Sequence, residues 1–231
     1  MARFSRIKIL IEMRKIGLIP VFYNNDLEVS KKILKACAEG GAVCIEMTNR
    51  GDGAIKIFSG LAEYCEKEIP QVILGMGSIV DAPTGALYIN YGANFIVGPE
   101  IDRELAILCN KRKIPYMPGC GTVTEIQKAH SLGVEFCKIF PGDLIGGPAF
   151  VKAVKGPCPW TFIMPTGGVS TTKESLTEWF SAGVVCVGIG SKLITKELVE
   201  NRDYKKIASE VRRVINLIKE IRDSLGVSES F

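Results

Sequence analysis

Ala42-Val43-Cys44-Ile45-Glu46-Met47-Thr48-Asn49-Arg50 is an apolar run of strand length that ends in a carboxylate, a hydroxyl and a guanidinium. The amphipathic stretch Leu27–Glu39 precedes it across the turn Gly40-Gly41, and a second one, Ala54–Glu68, follows. Glycine turns of this kind end a helix just before a strand. The unit recurs along the chain. Strand-length runs lie at Leu18–Tyr23, Ala42–Thr48, Gln71–Gly77, Asn94–Val97, Ile114–Pro118, Glu135–Phe140, Thr161–Pro165 and Val184–Gly188. Helical periodicity separates several of them, as at Asp102–Lys113, Thr124–Leu132 and Lys173–Ala182. Eight β-then-α units predict an α/β chain folded as a closed (β/α)8 TIM barrel, with an open doubly wound sheet as the alternative. A leading helix is expected over Phe4–Ile16, stopped by Gly17, and a terminal helix over Tyr204–Leu225. Ile207, Val211, Val214, Ile218 and Ile221 give the terminal helix an apolar stripe, with Lys205, Arg212, Arg213, Lys219 and Arg222 on a solvated face. The last residues, Gly226–Phe231, are expected to fray. No linker-like or low-complexity tract divides the chain, so one domain over residues 1–231 is the economical reading, with its core at about 17–194.

Composition narrows the function. At 231 residues, 47% hydrophobic and 23% charged, the chain is ordinary for a globular protein, and its net charge of +4 is too small and too spread to argue for nucleic acid. No run reaches the length of a membrane helix, and Glu12, Arg14 and Lys15 break any secretory signal, so a cytoplasmic protein is expected. The eight cysteines contain no C-x-x-C pair, and Cys44, Cys137 and Cys186 fall inside apolar runs. They read as small buried hydrophobes in a reducing compartment. With His130 the only histidine, neither a metal centre nor a Ser-His-Asp triad is supported, and no cofactor is expected.

The chemistry-bearing residues gather where strands end, which is where barrels of this kind place their active sites. In Phe136-Cys137-Lys138-Ile139-Phe140-Pro141, alternation puts Phe136, Lys138 and Phe140 on one face. An amine between two rings is desolvated, which lowers its pKa and makes it nucleophilic; the other reading is a stem packed on phenylalanine with its head in water. Cys44, Glu46 and Thr48 share a face in the same way, so an inward Cys44 brings Glu46 inward, either as an ion-pair partner of Lys138 or as a general acid/base beside it. Arg50 has the planar fork of donors that holds a carboxylate. Gly75-Met76-Gly77-Ser78 supplies a hydroxyl and Gly98-Pro99 a rigid turn. Pro165-Thr166-Gly167-Gly168 and Gly188-Ile189-Gly190-Ser191 put paired glycines after the seventh and eighth strands, the usual place of a phosphate cradle. Together these form the equipment of a metal-independent aldol cleavage, in which a lysine imine accepts the electrons of a breaking carbon–carbon bond.

From about Gly17 to Ile194 the sequence resembles the 2-keto-3-deoxy-6-phosphogluconate aldolase family, which overlaps with 4-hydroxy-2-oxoglutarate aldolase. The resemblance rests on Glu46-Met47-Thr48-Asn49-Arg50, Gly75-Met76-Gly77-Ser78, Phe95-Ile96-Val97-Gly98-Pro99, Pro118-Gly119, Thr122 to Glu125, Lys138-Ile139-Phe140-Pro141, Pro165-Thr166-Gly167-Gly168 and Val187 to Ser191. It implies a homotrimeric class I aldolase of the Entner-Doudoroff pathway that splits a phosphorylated keto-deoxy acid into pyruvate and glyceraldehyde 3-phosphate. On the same ground Lys138 is the Schiff-base lysine and Glu46 the general acid/base. Arg50, Ser78 and Thr166 hold the keto acid or its hydroxyls, Pro99 and Phe140 form walls, and Gly167, Gly168, Gly190 and Ser191 bind phosphate. The chain departs from the family pattern at Ser78, where threonine is usual, at Gly98, where serine is frequent, and at Ile189 and Lys192, which alter a glycine-glycine-serine-tryptophan segment. These departures bear on the substrate: a keto-deoxy galactonate phosphate or unphosphorylated 4-hydroxy-2-oxoglutarate is the alternative. The rival classes are another phosphate-binding barrel enzyme, an isomerase, epimerase or synthase with Lys138 as an electrostatic clamp, and a sugar-phosphate-binding protein without catalysis.

Overall fold

The structure, a computed structural model, describes residues 2–226; the fraying expected at the C-terminus concerns residues that, from 227 on, lie outside the described ones. Helix α1 (Arg6–Ile16) leads into β1 (Leu18–Phe22), α2 (Leu27–Glu39), β2 (Cys44–Thr48), α3 (Ala54–Glu68), β3 (Ile73–Gly77) and α4 (Ala82–Asn90). Then come β4 (Ile96–Val97), α5 (Arg103–Arg112), β5 (Tyr116–Met117), β6 (Gly119–Cys120), α6 (Val123–Ser131), β7 (Phe136–Ile139) and α7 (Gly147–Lys155). The chain continues through β8 (Phe162–Pro165), α8 (Lys173–Ser181), β9 (Val187–Ile189), α9 (Lys196–Glu200) and α10 (Tyr204–Ser224).

All strand pairings are parallel, as crossover helices require. The strands form a curled six-stranded sheet, β5-β4-β3-β2-β1-β9, and a second sheet, β6-β7-β8. This differs from eight uninterrupted strands, because the fifth run is divided at Pro118. Proline has no N–H to give to a ladder. Gly98 N donates to Met117 O at 3.1 Å on one side of the break, and Lys138 N donates to Pro118 O at 3.0 Å on the other. Between β8 and β9, Val185 N donates to Ile163 O at 2.9 Å, and Thr166 bridges Gly188.

Side-chain alternation sorts the strands into two cores. Ile45 and Met47 of β2, with Cys137 and Ile139 of β7, pack outward against the helices. Cys44 and Phe136 pack inward with Ile19, Ile73, Phe95, Met117, Met164 and Cys186. The expected pairing of faces in both strands is the one observed. Ile9, Leu10 and Met13 of α1 complete this inner layer, and the Cys44 thiol lies 4.0 Å from Ile9 O. Because Cys44, Ile73 and Phe136 begin their strands, α1 closes the N-terminal end. It starts at Ser5, whose Oγ accepts from Lys8 N, and stops at Gly17, in the left-handed region at φ 74° with its N–H bonded to Met13 O.

Helix α10 buries Ile207, Val211, Val214, Ile218 and Ile221 against α2 and α8, as its spacing required. Arg222 is not on the solvated face where periodicity placed it. It is buried, its guanidinium donates to Lys15 O at 3.0 Å and to Val185 O, and it lies 4.9 Å from the Phe180 ring. All eight cysteines are free and buried. Among the described residues, no helix is long and apolar enough to cross a membrane.

Candidate active site

Toward the C-terminal ends of the strands the inward face changes character. On β2, Glu46 follows Cys44 inward and is 2% exposed. Its carboxylate occupies space that β3 leaves empty: a Cβ at Gly77 would overlap Glu46 Oε1. Glu46 Oε2 is buried with no hydrogen-bond partner. On β7, Lys138 is 6% exposed, and its Nζ sits 4.3 Å from the centre of the Phe140 ring, with Phe136 further down the same face. The ring quadrupole favours a cation, but it does not offset the loss of water.

Burial is the largest influence on both groups. It pushes the Lys138 amine below the usual lysine range, with Arg50 acting in the same direction and Glu46 opposing. It pushes the Glu46 carboxyl above the usual carboxylate range, against the pull of Lys138 and Arg50. The two groups influence each other through space, each opposing the effect of burial on the other. Burial thus moves both toward their neutral forms.

A cavity of about 670 Å³ opens at this end. It collects Arg50, Phe140, Thr166, Gly167, Gly168, Gly190 and Ser191, all of them singled out from the sequence. Thr166 Oγ1 is buried without a partner, and a Cβ at Gly188 would stand 2.6 Å from it. Gly167 and Gly168 lie in the left-handed region at φ 86° and 72°, where a side chain would be strained. The Gly190 carbonyl accepts from Leu193 N and Ile194 N at 2.9 Å. Glu46 and Lys138 are not among the residues that line the cavity, and neither are Ser78 and Pro99. The latter two follow β3 and β4, and Ser78 takes a left-handed φ of 61°, a strained conformation for a residue with a side chain.

Other lining residues were not expected: Tyr23 and Asn24, just past β1, and Lys196, which is ion-paired with Glu200 at 3.5 Å. Lys192, one of the departures from the family pattern, adds a positive charge. The polar run after the first apolar segment, Tyr23-Asn24-Asn25-Asp26, was the available signal for the first pair. Nothing in local spacing marks Lys196. Among the described residues, no group of three or more histidines, cysteines or carboxylates could hold a metal ion.

Comparison with known proteins supplies a family for this arrangement. Residues 9–210 match the family model for KDPG and KHG aldolase. A 2-dehydro-3-deoxy-phosphogluconate aldolase of Pseudomonas aeruginosa is 32% identical over 188 residues, covering 81% of this chain and 82% of that protein. A KHG/KDPG aldolase of Escherichia coli K12 is 29% identical over 199 residues, covering 86% and 90%. A solved KDPG aldolase from Legionella pneumophila, with pyruvate captured as a covalent carbinolamine, superposes with a TM-score of 0.80 at 28% identity over 88% of this chain and 97% of that one. This chain therefore belongs to the KDPG and KHG aldolase family and is an aldolase, a carbon–carbon lyase.

Proposed function

We propose that the enzyme cleaves 2-keto-3-deoxy-6-phosphogluconate reversibly to pyruvate and glyceraldehyde 3-phosphate through a Schiff base on Lys138, and also acts on 4-hydroxy-2-oxoglutarate. The observation that carries this reading is the buried Lys138 amine, held toward its neutral form beside a carboxyl held toward its acid form. The free amine adds to the C2 ketone to give a carbinolamine. Glu46, as an acid, protonates the departing hydroxyl, and water leaves. The iminium left on Lys138 is a cation next to the new carboxylate, which is thereby stabilised as a base. Glu46 then takes the proton of the C4 hydroxyl as the C3–C4 bond breaks. The bonding pair flows into the iminium, giving an enamine, and the aldehyde departs. Protonation of C3 and hydrolysis release pyruvate and restore the amine.

Arg50 and Ser78 hold the keto-acid carboxylate, Thr166 holds a substrate hydroxyl, and Pro99 and Phe140 wall the reacting carbons. Gly167, Gly168, Gly190 and Ser191 cradle the phosphate through backbone N–H groups, with the positive rim in support. The same reading takes the two sheets as one closed (β/α)8 barrel forming a single domain, supported by the bonds on both sides of Pro118 and by the Thr166–Gly188 bridge. It takes the enzyme to be cytoplasmic, in keeping with eight buried free thiols. It takes the assembly to be a homotrimer, for which exposed Val80, Leu87 and Leu144 offer apolar surface.

Borohydride reduction in the presence of pyruvate tests the proposal, read by intact mass and peptide mapping on the wild type and on Lys138→Ala. The expected result is a reduced pyruvate adduct on Lys138 that is absent from the variant. A folded wild-type protein that forms no adduct would transfer the assignment to a phosphate-binding isomerase, epimerase or synthase.

A further inference from the structure

Tyr88 of α4 carries a hydroxyl that neither the core nor the reaction above accounts for. Its ring is buried and meets Phe58 of α3 edge-on, 5.3 Å between centres, a contact that phenylalanine would make equally well. The hydroxyl donates to Asn49 Oδ1 at 2.7 Å, across 39 positions of the chain. Asn49 is the first residue past β2, and alternation turns it outward with Met47, while Arg50 falls on the inward face with Glu46 and Thr48. The Asn49 N–H continues the ladder to Gly77 O at 2.8 Å, and the Arg50 N–H turns back to Thr48 O at 3.0 Å. The strand thus ends between a residue tied to α4 and the arginine of the cavity.

On the other side of Arg50, Gly51 takes φ 88° and passes so close to β1 that a Cβ there would stand 2.9 Å from Tyr23 Oη. Both neighbours of Arg50 are therefore fixed. Its own guanidinium has no hydrogen bond or ion pair among the described residues, so the direction of this long side chain is set at its root. Asn49, Gly51, Thr84 and Tyr88 line a separate hollow of about 360 Å³, and none of them lines the substrate cavity. We infer that Tyr88 is a positioning residue for Arg50: its bond to Asn49 fixes the end of β2 so that the guanidinium meets the keto-acid carboxylate already oriented. Tyr88 then sets the affinity for the keto acid without touching it. This rests on the reading of Arg50 as the holder of that carboxylate.

The test uses the full-length enzyme and Tyr88→Phe, which keeps the ring, and measures the pyruvate concentration that half-saturates borohydride trapping together with kcat for condensation at saturating pyruvate. Half-saturation should rise roughly three- to tenfold, the worth of one hydrogen bond, while kcat at saturation holds. Asn49→Ala should give the same rise, and joining it to Tyr88→Phe should add nothing. Arg50→Ala should weaken pyruvate further than either, and in that background Tyr88→Phe should have no additional effect. A lower melting temperature with half-saturation unchanged, or a rise of equal size in the Arg50→Ala background, would overturn the inference and leave the bond a role in stability alone. Half-saturation unmoved by Arg50→Ala itself would overturn the carboxylate reading of Arg50 and this inference with it, with the adduct on Lys138 still formed.

Discussion

At the N-terminal ends of the strands the inner layer is filled by Ile9, Leu10 and Met13 of α1 packed on Cys44, Ile73 and Phe136, whereas toward the C-terminal ends the same face carries Glu46, Thr48 and Lys138. One end excludes water by matching apolar shapes. The other excludes water around groups that want it, and uses Gly77 to make room for Glu46 and Gly188 for Thr166. Residues four positions apart or fewer, on the same strands, are therefore under different physical demands. Packing at the first end lowers the free energy of the fold; burial at the second raises it and prepares an amine and an acid for reaction.

The largest effect that would sharpen this contrast is expected from Glu46→Gln. Loss of the proton carrier should reduce kcat by about 10²–10⁴, while the melting temperature holds or rises, since a buried carboxyl without a partner for Oε2 is removed. The same variant has a signature in pH. The Glu46 carboxylate holds the Lys138 pKa up against burial, so its removal should let the amine lose its proton at lower pH, and the midpoint of pyruvate trapping should move down. A midpoint that moves up would show that the two groups are not coupled as described.

At the other end the signs reverse. Met13→Ala removes a fully buried side chain from the closing helix and should cost roughly 2–5 kcal/mol in urea unfolding while kcat per folded molecule stays constant. A matching loss of kcat would mean that the ends are mechanically linked. The smallest effect is expected from Ser5→Ala, which deletes the α1 cap. Because Ser5 Oγ is 3.3 Å from Lys8 N, the cost should be near the lower end of the range for caps, about 0.5 kcal/mol, visible as a small shift of the urea midpoint with no change in activity.

How much of this was legible in the sequence follows from the range of each interaction. Strand faces were legible because alternation is local: Phe136 and Lys138 inward, Cys137 and Ile139 outward, and Cys44 with Glu46. The stripe of α10 was legible for the same reason. The division of the fifth strand was not, since it depends on two different neighbours bonding either side of Pro118. Arg222 was misplaced because its partners, Lys15 O and Val185 O, are remote in the chain. At the site, residues at strand ends were found, and seven of them share the cavity. Lys196, on a short helix beyond the last strand, carries no local mark of its place.

The empty space at Gly77 has a consequence for how this sequence can change over time. Since a Cβ there would overlap the Glu46 carboxylate, any larger residue at position 77 is open to the lineage only after position 46 has become smaller, and a return to glutamate is then closed until glycine is restored. Two codons on neighbouring strands are in this way inherited as one choice.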